Sequence, residues 1–466
     1  MTSPDFHPQV YKRRRQTLKT KLPTGIILFP GNRHTAINYE DNTHPFRQDS
    51  TFLYFFGISR ENLVGVIDID NDTDYLLGDE QTIDDIVWKG DAPSLAELGD
   101  LAGADKCLPI VDLKKVLHTN RAGQQSIHWI NPYHAAQALL LAEWLNLPYI
   151  DIAKKQSTML IKAVIDLRIV KDKAELSLIE EAVNVTTHMH RQVMMHAKPG
   201  MREYELLAVA ESVALKNNCR TAYPPIVTIN GQTLHNHYYG NTLHSGDLVL
   251  CDAGAELPSG YCGDITRTFP VDATFTSTQK DIAQIVLSAL RISEKALKPH
   301  VNFKDIHLLA CREITKGLQE LGLMKGDLDA SVEAGAHALF FQCGLGHLLG
   351  LDVHDMENLG EDWVGYDAST QRSNQFGLKS LRLARKLEEG FVLTVEPGIY
   401  FIPYLIDLWQ AEKKLPDFIN YNNVEKFRTF GGIRFEDNYF ITNKGCKLIG
   451  TYLPRTVEEI EALRAS

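Results

Sequence analysis

Two stretches decide how this chain folds: SGDLVLCDAG at residues 245–254 and EGFVLTVEPG at residues 389–398. Laid over one another without gaps, Gly246 meets Gly390, Asp252 meets Glu396 and Gly254 meets Gly398. Each reads as a short apolar strand with a carboxylate near its end. Upstream of each lies one pattern, MMHAKPGMREYELLAVAES at 194–212 and EKALKPHVNFKDIHLLACREI at 294–314. Both read as helix, Lys-Pro turn, helix. A second acid follows each strand, Asp264 in GDITRTF and Glu436 in IRFEDNYF. The second half is therefore expected to be an α+β domain with an internal repeat. Packed about a pseudo-twofold axis, its two copies would bring the matching acids together at the centre.

Ahead of the repeat, GIILFPG (25–31), FLYFFG (52–57), LVGVIDID (63–70) and DYLLGD (74–79) read as strands closed by Gly, Asn or Asp. AAQALLLAEWLNL (135–147) reads as a helix and IHWI (127–130) as an isolated strand. This half is expected to be an α/β domain. The boundary is placed near residue 160, where a charged helical stretch begins that runs on to residue 197, so the domains are taken as 1–160 and 161–466.

The whole chain has 466 residues, 44% of them hydrophobic and 23% charged, which excludes disorder or coiled coil as the main architecture. A core of ordinary size needs no disulfide staples. The net charge of -11 argues against nucleic acid as a partner. No apolar run reaches membrane-spanning length, and no membrane partner is expected. Seven cysteines without a CxxC pair read as free thiols in a reducing compartment, the cytoplasm. The start, MTSPDFHPQVYKRRRQ, lacks the apolar run of a secretory signal. Its basic run Lys12–Arg15 is read as the solvated face of a first helix rather than as a targeting signal.

Four carboxylates converging in a core cannot all stay ionised without compensation, because like charges repel and burial raises their pKa values. A pair of divalent cations is the usual remedy, and bridging carboxylates hold two ions at the separation that a two-metal hydrolase needs. Any one of these acids alone would be read as a turn former or helix cap; the repeat makes four such coincidences a poor explanation. CGLGHLLGLDVHDM (343–356) adds His347 and His354, with Gly344 and Gly346 allowing close backbone approach at His347. LHNHYYG (234–240) adds His235 and His237, of which one is expected to face the site. His188 and His190 are read as structural or surface residues. There is no P-loop, strand-to-helix GxGxxG, HExxH or GxSxG motif.

At these residues the chain resembles the proline-specific branch of the pita-bread metallopeptidases, which includes aminopeptidase P and prolidase. LVLCDAG, GDITRTFP, GLGHLLGLDVHD, TVEPGIYF and GGIRFEDN resemble the branch's five metal motifs in order, and YKRRRQTL with PFRQDSTFLYFFG resembles its N-terminal domain. The resemblance covers nearly the whole chain. It implies an aminopeptidase P-type N-terminal domain followed by a pita-bread catalytic domain. It also implies two divalent metal ions on Asp252, Asp264, His347, Glu396 and Glu436. Asp264 and Glu436 would bridge both ions, Asp252 would hold one, and His347 with Glu396 the other. Manganese is the expected metal, with cobalt or zinc as alternatives; an oxygen-rich donor set suits it. The hairpin AELPSGYCG after Asp252 is one residue longer than the branch's usual one, and Pro258 with Gly260 assigns the extra residue to its turn.

The reaction implied is hydrolysis, by a hydroxide held between the two metals, of the bond between an N-terminal residue and a following proline. The catalytic residues would be Glu396, as proton shuttle, with His354 and His235. His235, His354, Arg382 and Arg434 would contact substrate, with His354 and His235 stabilising the oxyanion or anchoring the peptide. The partners expected are peptides with proline in second place and further copies of the chain, as a homodimer or homotetramer. Prolidase is the nearest alternative, since GLKSLRLARKLEEGFVLTVEPGIYF (377–401) and PRTVEEIEAL (454–463) resemble it more closely. In that reading Arg382 grips a dipeptide carboxylate. A binding module that has lost its metal, or a metal-free creatinase-like amidinohydrolase, should lack the complete ligand set. Aromatic residues of FRQDSTFLYFFG and Trp88 are candidates for a substrate pocket, although core packing explains most of them.

Overall fold

The computed structural model describes residues 5–118 and 126–465, so Met1–Pro4 of the opening segment lie outside the described residues. The chain divides into two compact units, Met1–Arg168 and Ile169–Ser466. The boundary expected at residue 160 falls inside the helix Thr158–Arg168, which belongs wholly to the first unit. The charged stretch read as continuous breaks just after it, at Ile169–Asp172, where Asp172 caps the next helix, Lys173–His196.

The first unit is built on a mixed five-stranded sheet in the order Lys106–Leu108, Thr73–Leu77, Val64–Asp68, Ile26–Pro30, Ile127–His128. IHWI is thus not isolated: Ile127–His128 pairs parallel with Ile26–Pro30. Alternating side chains send Ile26, Leu28, Val64 and Val66 to one face, where Ala138 and Leu141 of the helix Ala135–Leu145 cover them. FLYFFG is a helix, Ser50–Phe56, and not the expected strand. Its aromatic run mimics strand composition, but the Asp49 carboxylate accepts from Phe52 N at the start and Gly57 ends it in the left-handed region at φ 73°. Phe52, Phe55 and Phe56 are core residues, with Phe55 stacked on Phe29 at 5.1 Å, while Trp88 is 84% exposed.

The basic run of the first helix, Pro8–Lys19, is not a solvated face. Arg15 is fully buried, with Nε 2.8 Å from Asp74 Oδ2 and its amino groups donating to the carbonyls of Phe55, Ala102 and Gly103. Arg14 lies 4.0 Å over the Tyr54 ring. Only Lys12 and Arg13 reach solvent as expected.

The second unit shows the duplication. Helix pairs Lys173–His196 with Glu203–Lys216, and Ser277–Ala296 with Phe303–Glu320, flank two three-stranded sheets. One sheet orders Ile265–Pro270, Leu248–Ala253, Ile226–Thr228; the other orders Val392–Val395, Asp437–Ile441, Cys446–Leu448. The copies agree down to backbone conformation. Gly246 and Gly390 have φ 91° and 93°, and the residues after the two Lys-Pro turns, Gly200 and His300, have φ 91° and 71°. A non-glycine residue held left-handed at His300 is a measure of how strictly the turn is copied. Arg202 bridges to Thr242 as Asn302 bridges to Lys386. The copies meet where Thr266 bridges Glu436, with Glu436 N donating to Thr266 O at 3.0 Å.

Candidate metal centre

Each acid is delivered by the end of an antiparallel pair. Asp252 lies opposite Thr266 in the Leu248–Ala253 and Ile265–Pro270 hairpin, and Asp264 directly precedes its return strand. That hairpin turns at Leu257–Gly260, so Pro258 and Gly260 do sit in the turn. In the second copy Glu396 follows Val392–Val395, and Glu436 precedes Asp437–Ile441. His347 comes from outside the duplicated strands. Its segment runs beside Val392–Val395, with Thr394 N donating to His347 O at 2.9 Å and Glu396 N to Leu345 O at 2.8 Å. A Cβ on Gly346 would lie 2.1 Å from Thr394 O, so only glycine permits that approach. Gly344 has ordinary clearance, 3.5 Å to its nearest neighbour.

The five side chains share one cavity of about 480 Å³. His347 Nε2 is 3.3 Å from Asp264 Oδ2 and 3.7 Å from Glu396 Oε1. Its Nδ1 lies 3.0 Å from Leu348 O; donation there leaves the Nε2 lone pair facing the acids. The Tyr223 phenol sits between Asp252 Oδ1, at 2.5 Å, and Asp264 Oδ1. Burial raises the Tyr223 pKa well above its usual value, so it keeps its one proton and satisfies only one of the two acids. Glu436 takes a bond from Thr266 Oγ1 at 2.7 Å through Oε2, while its Oε1 is buried without a protein partner among the described residues.

The electrostatics match the four-acid argument. Burial and the neighbouring acids push Glu436 well above the usual carboxylate range; burial also raises Asp252 and Glu396, outweighing the nearby cationic groups. Burial opposes ionisation of Asp264 too, but His347 and the Tyr223 hydroxyl hold it low. An orphaned carboxylate oxygen, a shared phenol proton and a donor set of four carboxylates and one imidazole fit a pair of hard divalent cations.

The same cavity is lined by His235, His354, Arg382 and Arg434, so all nine residues expected to hold metal or contact substrate come together, whereas Trp88 and the aromatic residues of FRQDSTFLYFFG do not line it. His237 lines it as well, where one histidine of the pair was expected to. His354 Nδ1 is 2.7 Å from Glu357 Oε2, and burial with the neighbouring His347 drives its pKa down to about 4. The bond from His354 holds Glu357 down to about 2. Glu357 also accepts from Arg382 Nε at 3.2 Å. Arg434 is committed to the protein: Nη2 to Asp252 Oδ2 at 2.5 Å, Nη1 to Tyr400 Oη at 3.0 Å and Nε to Thr266 Oγ1 at 3.1 Å. Sequence reasoning missed Tyr223, Thr266 and Glu357. Tyr223 lies in TAYPP, a loop ahead of a strand, and no local pattern marks it.

A model of Metallopeptidase family M24 matches residues 177–443, more than half of the chain, and one of the aminopeptidase P N-terminal domain matches residues 11–128. The chain belongs to metallopeptidase family M24. Each match falls within one structural unit. The M24 member is a metal-dependent hydrolase, with an aminopeptidase P-type N-terminal domain followed by a pita-bread catalytic domain. It is similar to the Xaa-Pro dipeptidase of Homo sapiens, 32% identical over 94% of this chain and 88% of that one. It is also similar to a probable Xaa-Pro aminopeptidase of Aspergillus niger, 31% identical over 94% of this chain and 92% of that one. Among solved structures, aminopeptidase P from Escherichia coli with the inhibitor Pro-Leu matches with a TM-score of 0.81 and 29% identity, covering 99% and 98% of the two chains. No helix among the described residues is long and apolar enough to cross a membrane, and all seven cysteines are free.

Proposed function

We propose that this M24 enzyme is an Xaa-Pro aminopeptidase, which hydrolyses the bond between an N-terminal residue and a following proline. One observation carries the reading: the five metal-binding residue types converge on a cavity that also presents His235, His354 and Arg382. Asp252, Asp264, His347, Glu396 and Glu436 would hold the two divalent cations. Manganese suits these donors best by hardness. When bound, the cations lower the pKa of water and polarise the scissile carbonyl.

The chain's own groups supply the rest. Burial raises the Glu396 pKa, which favours its passing a proton to the leaving proline nitrogen. His354, neutral and donating from Nδ1 to Glu357, offers Nε2 as an acceptor for a substrate N–H. Anchoring therefore suits this ring better than donating to an oxyanion. Arg434 neutralises Asp252 rather than reaching for substrate. A peptidase that grips the backbone N–H finds none at proline, so recognition of the ring must replace it. Free thiols fit the reducing cytoplasm, and a homodimer or homotetramer is the assembly to test by light scattering.

Arg382 favours a second reading, a dipeptidase. It lines the cavity, and Glu357 occupies its Nε, which leaves the terminal amino groups to fork around a dipeptide carboxylate. Side-by-side assays of Gly-Pro and an Arg-Pro-Pro peptide separate the two. Release of arginine from Arg-Pro-Pro with negligible Gly-Pro cleavage supports the aminopeptidase. Rapid Gly-Pro cleavage, with Arg382→Ala raising KM for Gly-Pro far more than for Arg-Pro-Pro, supports the dipeptidase. An equal effect on both lengths refutes the clamp. Cleavage of neither peptide by protein holding two cations overturns both.

A further inference from the structure

A second cluster of ligating side chains lies apart from the acids. His307 and Cys311 sit one turn apart on the helix Phe303–Glu320, and His337 belongs to the short turn of helix Ala336–Leu339. All three are fully buried, and one donor atom from each lies within 4.8 Å of the other two. Cys311 Sγ is 3.3 Å from His307 Nε2. The remaining ring nitrogens are orphans: His307 Nδ1 and both nitrogens of His337 are buried with no hydrogen-bond partner among the described residues. Buried polar groups in native proteins are nearly always paired, so an unpaired nitrogen on each ring beside a thiol points to a partner that is not protein. Burial keeps both imidazoles neutral, with pKa values of about 3 for His307 and about 4 for His337, so their lone pairs are available. None of the three lines the catalytic cavity.

We propose that His307, Cys311 and His337 form a zinc site with three protein donors that ties the helix Phe303–Glu320 to the segment leading into His347. Residues four apart on a helix present two donors on one side, and the third arrives from the following segment. A thiolate with two imidazoles suits a borderline-soft cation such as zinc, whereas the catalytic acids suit hard ones. The chain would thus sort two kinds of metal by donor chemistry alone. On binding, the Cys311 S–H bond breaks, a sulfur–zinc bond forms and the proton leaves to solvent; no electron changes hands. Because the site is fully buried, the ion enters as the unit folds. The cross-link would fix the start of the run Gln342–Gly344, which lines the catalytic cavity.

The test uses cobalt in place of zinc, in full-length protein produced in zinc-free, cobalt-supplemented medium. The five residues assigned to the catalytic centre offer only oxygen and nitrogen donors, and Cys343 is the one thiol that lines that cavity, so a thiolate-to-cobalt charge-transfer absorption that does not depend on Cys343 would report this site independently of activity. The band should persist in an Asp264→Asn/Glu436→Gln double variant, which dismantles the catalytic centre. It should also persist in Cys343→Ser, a control needed because the Cys343 thiol lines the catalytic cavity. It should vanish in Cys311→Ser. The double variant, produced with zinc instead, should retain one equivalent per chain. Absence of the band in folded, cobalt-grown wild type overturns the proposal without recourse to any variant. So does a band that survives Cys311→Ser but is lost in Cys343→Ser.

Discussion

Asp264 is held in the centre through both its side chain and its backbone. Its carboxylate meets His347 and Tyr223, and its own backbone N–H and C=O are both bonded by the Asn438 side chain. Asp264→Ala should therefore abolish hydrolysis and lower metal content, read by peptide turnover beside elemental analysis. Full activity with two cations still bound would sink the bridging role. His354→Ala should keep its metal but lose turnover by about 10²-fold, the scale at which a misplaced substrate is penalised. A variant that loses metal instead, and turns over normally once reloaded, would make His354 a ligand. At this scale the acids and His347 were legible because duplication and a glycine-rich run mark them. Tyr223 and Glu357 were not, since what singles them out is contact across the chain rather than anything in their own neighbourhood.

Helices and strands were legible where period and caps agreed, and misread where composition spoke against them. FLYFFG carries the aromatic content of a strand, yet Asp49 and Gly57, the cap residues that make it a helix, stand on either side in plain sight. The run Lys12–Arg15 shows the opposite failure: charge alone suggests solvent, while the 3.6-residue period turns Tyr11, Arg14, Arg15 and Leu18 inward together. Arg15 pairs with Asp74 where both are at most 1% exposed. Removing one partner of a buried pair costs about 3–5 kcal/mol. Lys19, 2.8 Å from the other Asp74 oxygen, softens the loss. Arg15→Ala should accordingly destabilise the N-terminal unit by about 3 kcal/mol in urea unfolding. A loss well under about 1 kcal/mol would mean that Lys19 alone satisfies Asp74.

Over the whole molecule, the duplication was readable because its copies keep the same spacing, whereas the charged run from residue 160 to 197 hides the break between two helices at Ile169–Asp172. Stripping the metals should expose the cost of gathering the acids. Glu396 and Glu436 have folded pKa values above their unfolded ones, so without cations they add stability that is present below about pH 4.5 and lost as pH rises through the raised values. Because the depressed histidines His307, His337 and His354 shift stability the opposite way over this range, the acids are read by difference: from about pH 5 to pH 7, chelator-treated Glu436→Gln protein should lose less stability to urea, or gain more, than the chelator-treated parent. An identical pH dependence in the two proteins would show that Glu436 is not held above its unfolded value. The bridge between Thr266 and Glu436 has a further consequence, in time. Its partners stand 170 residues apart. A ribosome adding about 5–20 residues per second takes roughly 10 to 30 s to make the second after the first. Throughout that interval the hairpin bearing Asp252 and Asp264 waits for its other half, so loading with metal belongs to the finished chain and not to the nascent one.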